Sequence, residues 1–133
     1  MVHAVIREGL FETAATRDVA QSLARTMGAT EEETEAAIRV VEEAARHSLI
    51  DRARRAARTH RELPLLYRLE DGRVLEGVED LAFLEDETWT LVDFKTDADI
   101  ASRRAHYEAQ LRWYALALSR LTGQQVRCVV FAI

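Results

Sequence analysis

Three residues near the middle of the chain have types and spacing that packing alone does not explain: Asp80, Asp93 and Lys95. Across Thr88–Thr96, strand-like alternation sets Trp89, Leu91, Asp93 and Lys95 on one face. An otherwise apolar face therefore ends in a carboxylate and an ammonium two residues apart. Standing alone, such a D-x-K pair is an ordinary ion pair at a strand end. A hairpin symmetric about Asp86 and Glu87, however, places Asp80 opposite Asp93, roughly 4.5–5.5 Å away between Cβ atoms. Opposed like charges are destabilising unless something neutralises them, and a hard divalent cation bound through carboxylate and carbonyl oxygen does so economically. A first hairpin centred on Asp71-Gly72 sets Glu62 beside Leu81 and so near Asp80. In this register three acids and one ammonium converge at neighbouring strand ends, whereas a one-residue slip turns an acid to the opposite face.

The lysine is unusual in itself. Of the 18 basic residues, 17 are arginine, and Lys95 is the only lysine. Arginine is planar and always protonated, while lysine is a compact charge whose proton affinity can be tuned. A chain this rich in arginine is expected to keep a lysine where arginine does not serve.

The elements that must hold these residues follow from periodicity. The first 60 residues read as helical, with an amphipathic stretch over Val2–Phe11. A second runs over Thr16–Met27 and is closed by Gly28. A long helix is capped by Thr30, with Glu31, Glu32 and Glu33 in its first turn. Arginines gather toward its far end, at Arg46, Arg52, Arg54, Arg55 and Arg58. The period then changes. Glu62–Leu69 and Arg73–Leu84 read as a hairpin, and Thr88–Thr96 as a third strand. A polar loop is expected over Asp97–Arg104. Ala105–Leu121 is a helix, with Tyr107, Leu111, Tyr114, Leu118 and Leu121 on its apolar stripe. Gln125–Ile133 closes the chain as an apolar, interior strand. The order predicts one α/β domain over 1–133: a helical part to residue 60, then a β-β-β-α-β mixed sheet flanked by helices over 61–133.

Several further residues qualify this reading. Gly77 in mid-strand marks a bulge or a close backbone approach, either of which suits a substrate passing nearby. Gln110 shares a helix flank with Tyr107 and Tyr114. Both tyrosines are expected in the core, where an amide is harder to account for. Among the histidines, His3 is a weak candidate, and His47, His60 and His106 show no ligand spacing.

Composition bounds the function. The chain has 133 residues and a net charge of −5, with 48% hydrophobic and 31% charged residues. It can bury a real core, which excludes a disordered tail. The single cysteine, Cys128, forms no internal disulfide and leaves no cysteine set for zinc or an iron–sulfur cluster. The longest apolar run, Cys128–Ile133, is too short to span a bilayer, and no signal pattern opens the chain. These features predict a reducing, cytoplasmic setting and no membrane. The acidic balance argues, on its face, against an autonomous nucleic-acid binder.

Four short motifs in order now stand together: His3 near the start, Gly77…Asp80, Asp93-Phe94-Lys95-Thr96, and Gln110…Tyr114. This set resembles the PD-(D/E)XK nuclease superfamily. More narrowly, it is similar to the RecB-type nuclease domain at the C-terminus of bacterial AddA/RecB helicase–nucleases, with their G-x-x-D, D-Y-K-T and Q-x-x-x-Y segments. Phe94 stands where tyrosine is commoner. The resemblance implies a restriction-endonuclease-like core and a metal-dependent (exo)deoxyribonuclease acting in DNA repair and recombination, with DNA and helicase domains as partners.

On that resemblance, Asp80 and Asp93 would bind Mg²⁺ or Mn²⁺, one or two ions, with the Phe94 carbonyl as a backbone ligand and His3 completing the sphere. Lys95 would orient or help deprotonate the attacking water. Gln110 and Tyr114 would position the DNA backbone or the lysine, with Glu62 as a supporting acid. Arg103, Arg104, Arg112 and the Arg52–Arg61 cluster are candidate DNA contacts, or else a solvated helix face. The cysteines of the iron–sulfur branches are missing, so no such cluster is expected, and the lack of a Walker motif implies that the helicase lies elsewhere. The position of His3 beside Met1, and the halt directly after the last strand, read as a domain cut from a longer parent. The alternative is a catalytically inactive nuclease-fold module that tethers DNA or contacts protein. Intact Asp80, Asp93 and Lys95 favour catalysis over that alternative, and over an unrelated α/β domain with a chance D-x-K.

Overall fold

A computed structural model describes residues 2–9 and 15–133. The chain divides into two compact units, residues 1–55 and 56–133. The first is helical. Helix α1 spans Val2–Gly9, α2 Thr16–Met27, α3 Glu31–Ala45 and α4 Ser48–Arg55. The expected end of the first helix at Phe11 lies outside the described residues. Thr30 caps α3 as its sequence predicts. Its hydroxyl accepts from the Glu33 amide while the Glu33 carboxylate accepts from the Thr30 amide, a complete capping box. Gly28 closes α2 in a left-handed conformation. The one long arginine-ended helix is in fact two: α3 stops at Ala45, and the amides of Arg46 and His47 turn back onto Glu43 and Ala44. The amphipathic pattern continues across that break, which is why periodicity alone does not reveal it.

The second unit carries the sheet. Strand β1 spans Arg58–Arg68, β2 Val74–Glu85, β3 Thr88–Lys95 and β4 Gln125–Ala132, and helix α5 spans Asp97–Thr122. The strand order is β1-β2-β3-β4. The first two junctions are antiparallel, and β3 pairs with β4 in parallel through the α5 crossover. The β-β-β-α-β mixed sheet is therefore the one the sequence predicts.

Two details differ. Gln125–Ala132 is an edge strand and not an interior one, because the crossover returns it beside β3 alone, and most of its residues stay exposed or half-exposed. The interior strands are β2 and β3, and β3 is buried from Trp89 through Phe94. The polar loop expected over Asp97–Arg104 is helical from Asp97 onward. The Thr96 hydroxyl accepts from the Asp99 amide and donates to the Asp99 carboxylate, so the helix is capped one residue after Lys95. Only Arg103 departs from helical geometry, at φ −138° and ψ 24°.

One side of the sheet packs on α5. Leu65, Ala82, Trp89, Leu91, Leu111, Tyr114 and Leu118 form a buried cluster, rimmed by Leu63, Leu75, Leu84 and Val130. The Trp89 indole donates to the Gln124 side chain at 2.8 Å, which satisfies the one polar atom of that ring.

Candidate active site

The second hairpin sets the geometry. Asp86 and Glu87 both adopt positive φ, 46° and 63°, as a two-residue turn with matching twist requires. The ladder runs from Glu85↔Thr88 to Leu81↔Val92, and its next step aligns Asp80 with Asp93, as the symmetric hairpin predicts. One Asp80 oxygen accepts from the Phe94 amide at 2.9 Å, which ties this acid to the D-x-K segment. Asp93 is 9% exposed, and its carboxylate lies 3.2 Å from the Lys95 ammonium.

The first hairpin corrects one placement. The loop holds three residues, Glu70, Asp71 and Gly72. It is closed by the Leu69 amide on the Arg73 carbonyl and by the Asp71 carboxylate accepting from the Arg73 amide. Its centre is therefore Asp71, half a residue earlier than the two-residue turn expected. Glu62 consequently lies between the pairs Arg61↔Leu81 and Leu63↔Glu79, level with Asp80 and not beside Leu81. Glu62 is exposed and takes a positive φ of 51°.

That backbone irregularity has a counterpart in β2. Gly77 faces the Tyr114 ring and Ala82 joins the cluster under α5, although the two are five residues apart and strict alternation would put them on opposite faces. The phase therefore shifts between them, and Glu79 and Asp80 both turn to the α5 side. Glu79 is 4% exposed. Burial pushes its carboxyl up to about 8, and the charges of Asp93 and Asp80 add to that rise against the opposing pull of Lys95. Asp93 is pushed up to about 6, first by burial and then by hydrogen bonding with Asp80, with Lys95 again opposing. Sequence reasoning missed Glu79 because regular alternation turns it away from Asp80. The signal that finds it is Gly77 and Ala82 facing one helix.

Tyr107 is the other residue missed. Expected in the core, it is half-buried, and the Lys95 ammonium stands 4.7 Å from its ring centroid. The Arg103 guanidinium lies 5.8 Å from the same ring.

Gln110 and Tyr114 do not reach the lysine by any described contact. Gln110 donates to the Tyr114 hydroxyl at 3.3 Å, and that hydroxyl donates to the Glu76 carbonyl at 3.2 Å. The close approach at Gly77 is therefore to a side chain of the protein itself. A Cβ at Gly77 would stand 2.0 Å from the Tyr114 hydroxyl, so only glycine fits. Arg103, Arg104 and Arg112 are exposed on α5, with Arg104 held to Glu108 at 3.0 Å. The Arg52–Arg61 cluster splits between α4 and β1. His3 is exposed on α1, in the helical unit.

Among the described residues, no three His, Cys, Asp or Glu side chains gather as a ready metal cage. The donor set between the middle of β2 and the end of β3 nonetheless fits a divalent cation. Two aspartates in hydrogen-bonding contact and the buried Glu79 face one lysine, and the rise at Asp93 and Glu79, which burial causes first, is increased by the neighbouring carboxylates. Hard cations take such oxygen donors, and backbone carbonyls beside them.

The profile of the PD-(D/E)XK nuclease superfamily matches residues 1–133. The chain belongs to that superfamily. Its curated relatives are large ATP-dependent helicase/nuclease proteins. One, from Clostridium botulinum (strain Loch Maree / Type A3), is 35% identical over 74 residues, which are 54% of this chain and 6% of that protein. Its counterpart in Alkaliphilus metalliredigens is 43% identical over 63 residues, 44% of this chain and 5% of that protein. The counterpart in Alkaliphilus oremlandii is 33% identical over 94 residues, 58% of this chain and 8% of that protein. The matched segments thus span less than a tenth of the length of these relatives. Among the described residues, no helix is long and apolar enough to cross a membrane.

Proposed function

We propose that the chain is a divalent-metal-dependent deoxyribonuclease domain that hydrolyses phosphodiester bonds as part of a DNA-repair helicase–nuclease. The observation that carries this reading is the Asp80–Asp93–Lys95 constellation, where the middle of β2 meets the end of β3, with Asp80 tied to the Phe94 amide and Lys95 to Asp93. The names of the helicase/nuclease relatives support the setting, with DNA as substrate and helicase domains as partners.

Asp80, Asp93 and the Phe94 carbonyl would hold Mg²⁺ or Mn²⁺. Such an ion, when bound, supplies a water of lowered pKa and Lewis-acid polarisation of the phosphoryl oxygens. Lys95 would orient the attacking water and balance charge on the phosphate. Its ammonium has three donors. Asp93 engages one, and the Tyr107 ring covers another side, which limits how the remaining donor can point. Gln110 and Tyr114 act on the geometry of α5 against β2 rather than on the phosphate. Glu62 is a supporting acid at the exposed rim, and Arg103 and Arg104 approach the DNA backbone.

The test is cleavage of linear single- and double-stranded DNA with Mn²⁺ or Mg²⁺, with Asp80→Ala as control. Cleavage that needs the ion and disappears in the variant is the expected result. Ion-independent cleavage, or activity retained in Asp80→Ala, contradicts the reading.

A further inference from the structure

Hydrolysis accounts for the acids and the lysine but not for the space beside them. A cavity of about 260 Å³ is lined by Asp97, Ile100, Arg104 and Tyr107 of α5 and by Val130 and Ala132 of β4. Its position follows from register. Val130 is the β4 neighbour of Asp93, and Ala132 is that of Lys95. Two of the cavity's lining residues are therefore the strand neighbours of Asp93 and Lys95, at the usual spacing of about 4.8 Å between paired strands. Its walls are chemically mixed. Ile100, Val130 and the Tyr107 ring give it apolar and aromatic surface. Asp97 supplies an acceptor and Arg104 a set of donors, of which the Nε–H is already engaged by Glu108 at 3.0 Å.

A phosphate could use only Arg104 among these walls, and Asp97 and the apolar and aromatic surface do not suit it. A planar heterocycle with hydrogen-bonding edges does, because its face stacks on tyrosine while its edge meets a carboxylate and a guanidinium. Tyr107 links the two neighbourhoods, since the ring that lines the cavity also stands under Lys95 at 4.7 Å and beside Arg103 at 5.8 Å.

We propose that this cavity is a nucleobase subsite, which receives the base of a nucleotide adjoining the scissile phosphate. The proposal rests on the nuclease reading above and extends it. A base inside a duplex is stacked on both faces and paired at its edge, and it must leave the stack to enter a side pocket. The subsite therefore selects unpaired DNA, as a strand or a frayed end, and does so close to the reacting centre.

Binding of thymidine 5′-monophosphate and of 2-deoxyribose 5-phosphate to the full chain, without divalent ions, tests the subsite. The readout is the NMR signals of the Ile100 and Val130 methyl groups and the Tyr107 ring. The expected result is saturable shifts of these signals with the nucleotide, at an affinity roughly tenfold or more above that of the sugar phosphate, as base–aromatic stacking confers. Ile100→Trp, which fills the cavity, should abolish the nucleotide's effect on Val130 while the protein melts as before. Equal responses to the two ligands mean that only phosphate is recognised and overturn the proposal, as does the absence of shifts at these residues. Should Ile100→Trp fail to fold, the two-ligand comparison on the unaltered chain still decides. The titration involves no cleavage, so loss of the nuclease reading and loss of the subsite are separate outcomes.

Discussion

Tyr107 and Tyr114 lie two turns apart on one flank of α5, and they end in opposite surroundings. Tyr114 is 6% exposed inside the apolar cluster, with its hydroxyl on the Glu76 carbonyl and its ring against Gly77. Tyr107 is half-buried, and its ring carries an ammonium. Helical period put both rings on the sheet side. What each one does was decided by what β2 and β3 present beneath it: a bare backbone at Gly77, or the charged strand ends at Asp93 and Lys95. One end of the helix holds the sheet together, and the other organises charge.

The comparison breaks first at Lys95. Removing its ammonium in Lys95→Ala should lower cleavage by about a hundredfold or more, the scale of lost acid–base assistance. Stabilisation by Mg²⁺ or Mn²⁺ in a thermal melt should persist, through binding to the folded state. A variant that loses both, or neither, would erase the distinction between the two ends.

The opposite end should respond in stability. Gly77→Ala forces a methyl group onto the Tyr114 hydroxyl and should cost about 1–3 kcal/mol in denaturant unfolding. Tyr114→Phe in the same chain should restore part of that loss, because the nearest atom is the hydroxyl oxygen.

Between these lies Tyr107. Replacing it with leucine removes a cation–π contact of about 0.5–2 kcal/mol. The fall should appear in kcat more than in KM, with phenylalanine retaining most of the activity. Equal loss in both variants would show that the ring's face is irrelevant.

The smallest effect, taken per pH unit, concerns Glu79. Its carboxyl ionises near 4.5 in the unfolded chain and at about 8 in the folded one, so the folded state holds the additional proton between those values. The stability this contributes is fully present below 4.5 and is lost as pH rises through 8, by at most about 1.4 kcal/mol per pH unit. Asp93, pushed up to about 6, acts in the same direction below that pH. Melts without metal should therefore fall from pH 6 to 7. Glu79→Gln should flatten the slope, and Tyr114→Phe should leave it unchanged.

Legibility differed between the two hairpins for a local reason. At Asp86-Glu87 a two-residue turn fixes the register by symmetry, and the alignment of Asp80 with Asp93 could be read directly. At Asp71-Gly72 the same dipeptide serves a three-residue loop, and the half-residue difference moved Glu62 by one partner. The alternation that correctly placed Asp93 and Lys95 on one face failed in β2, where the phase shift between Gly77 and Ala82 turned Glu79 inward. The start of α5 was obscured by its polar first turns, although Thr96 and Asp99 are an ordinary cap.

Sequence alone determined the order of elements, the D-x-K face, the Thr30 cap and the motif set that resembles the superfamily. Each of these depends on local period or on residue type. Tertiary structure decided the rest. It seated Lys95 on Tyr107, set Tyr114 against Gly77, buried Glu79 with the aspartates and opened a cavity beside them. These depend on which strand positions face which turn of one helix, and that is settled by packing between segments far apart in the chain.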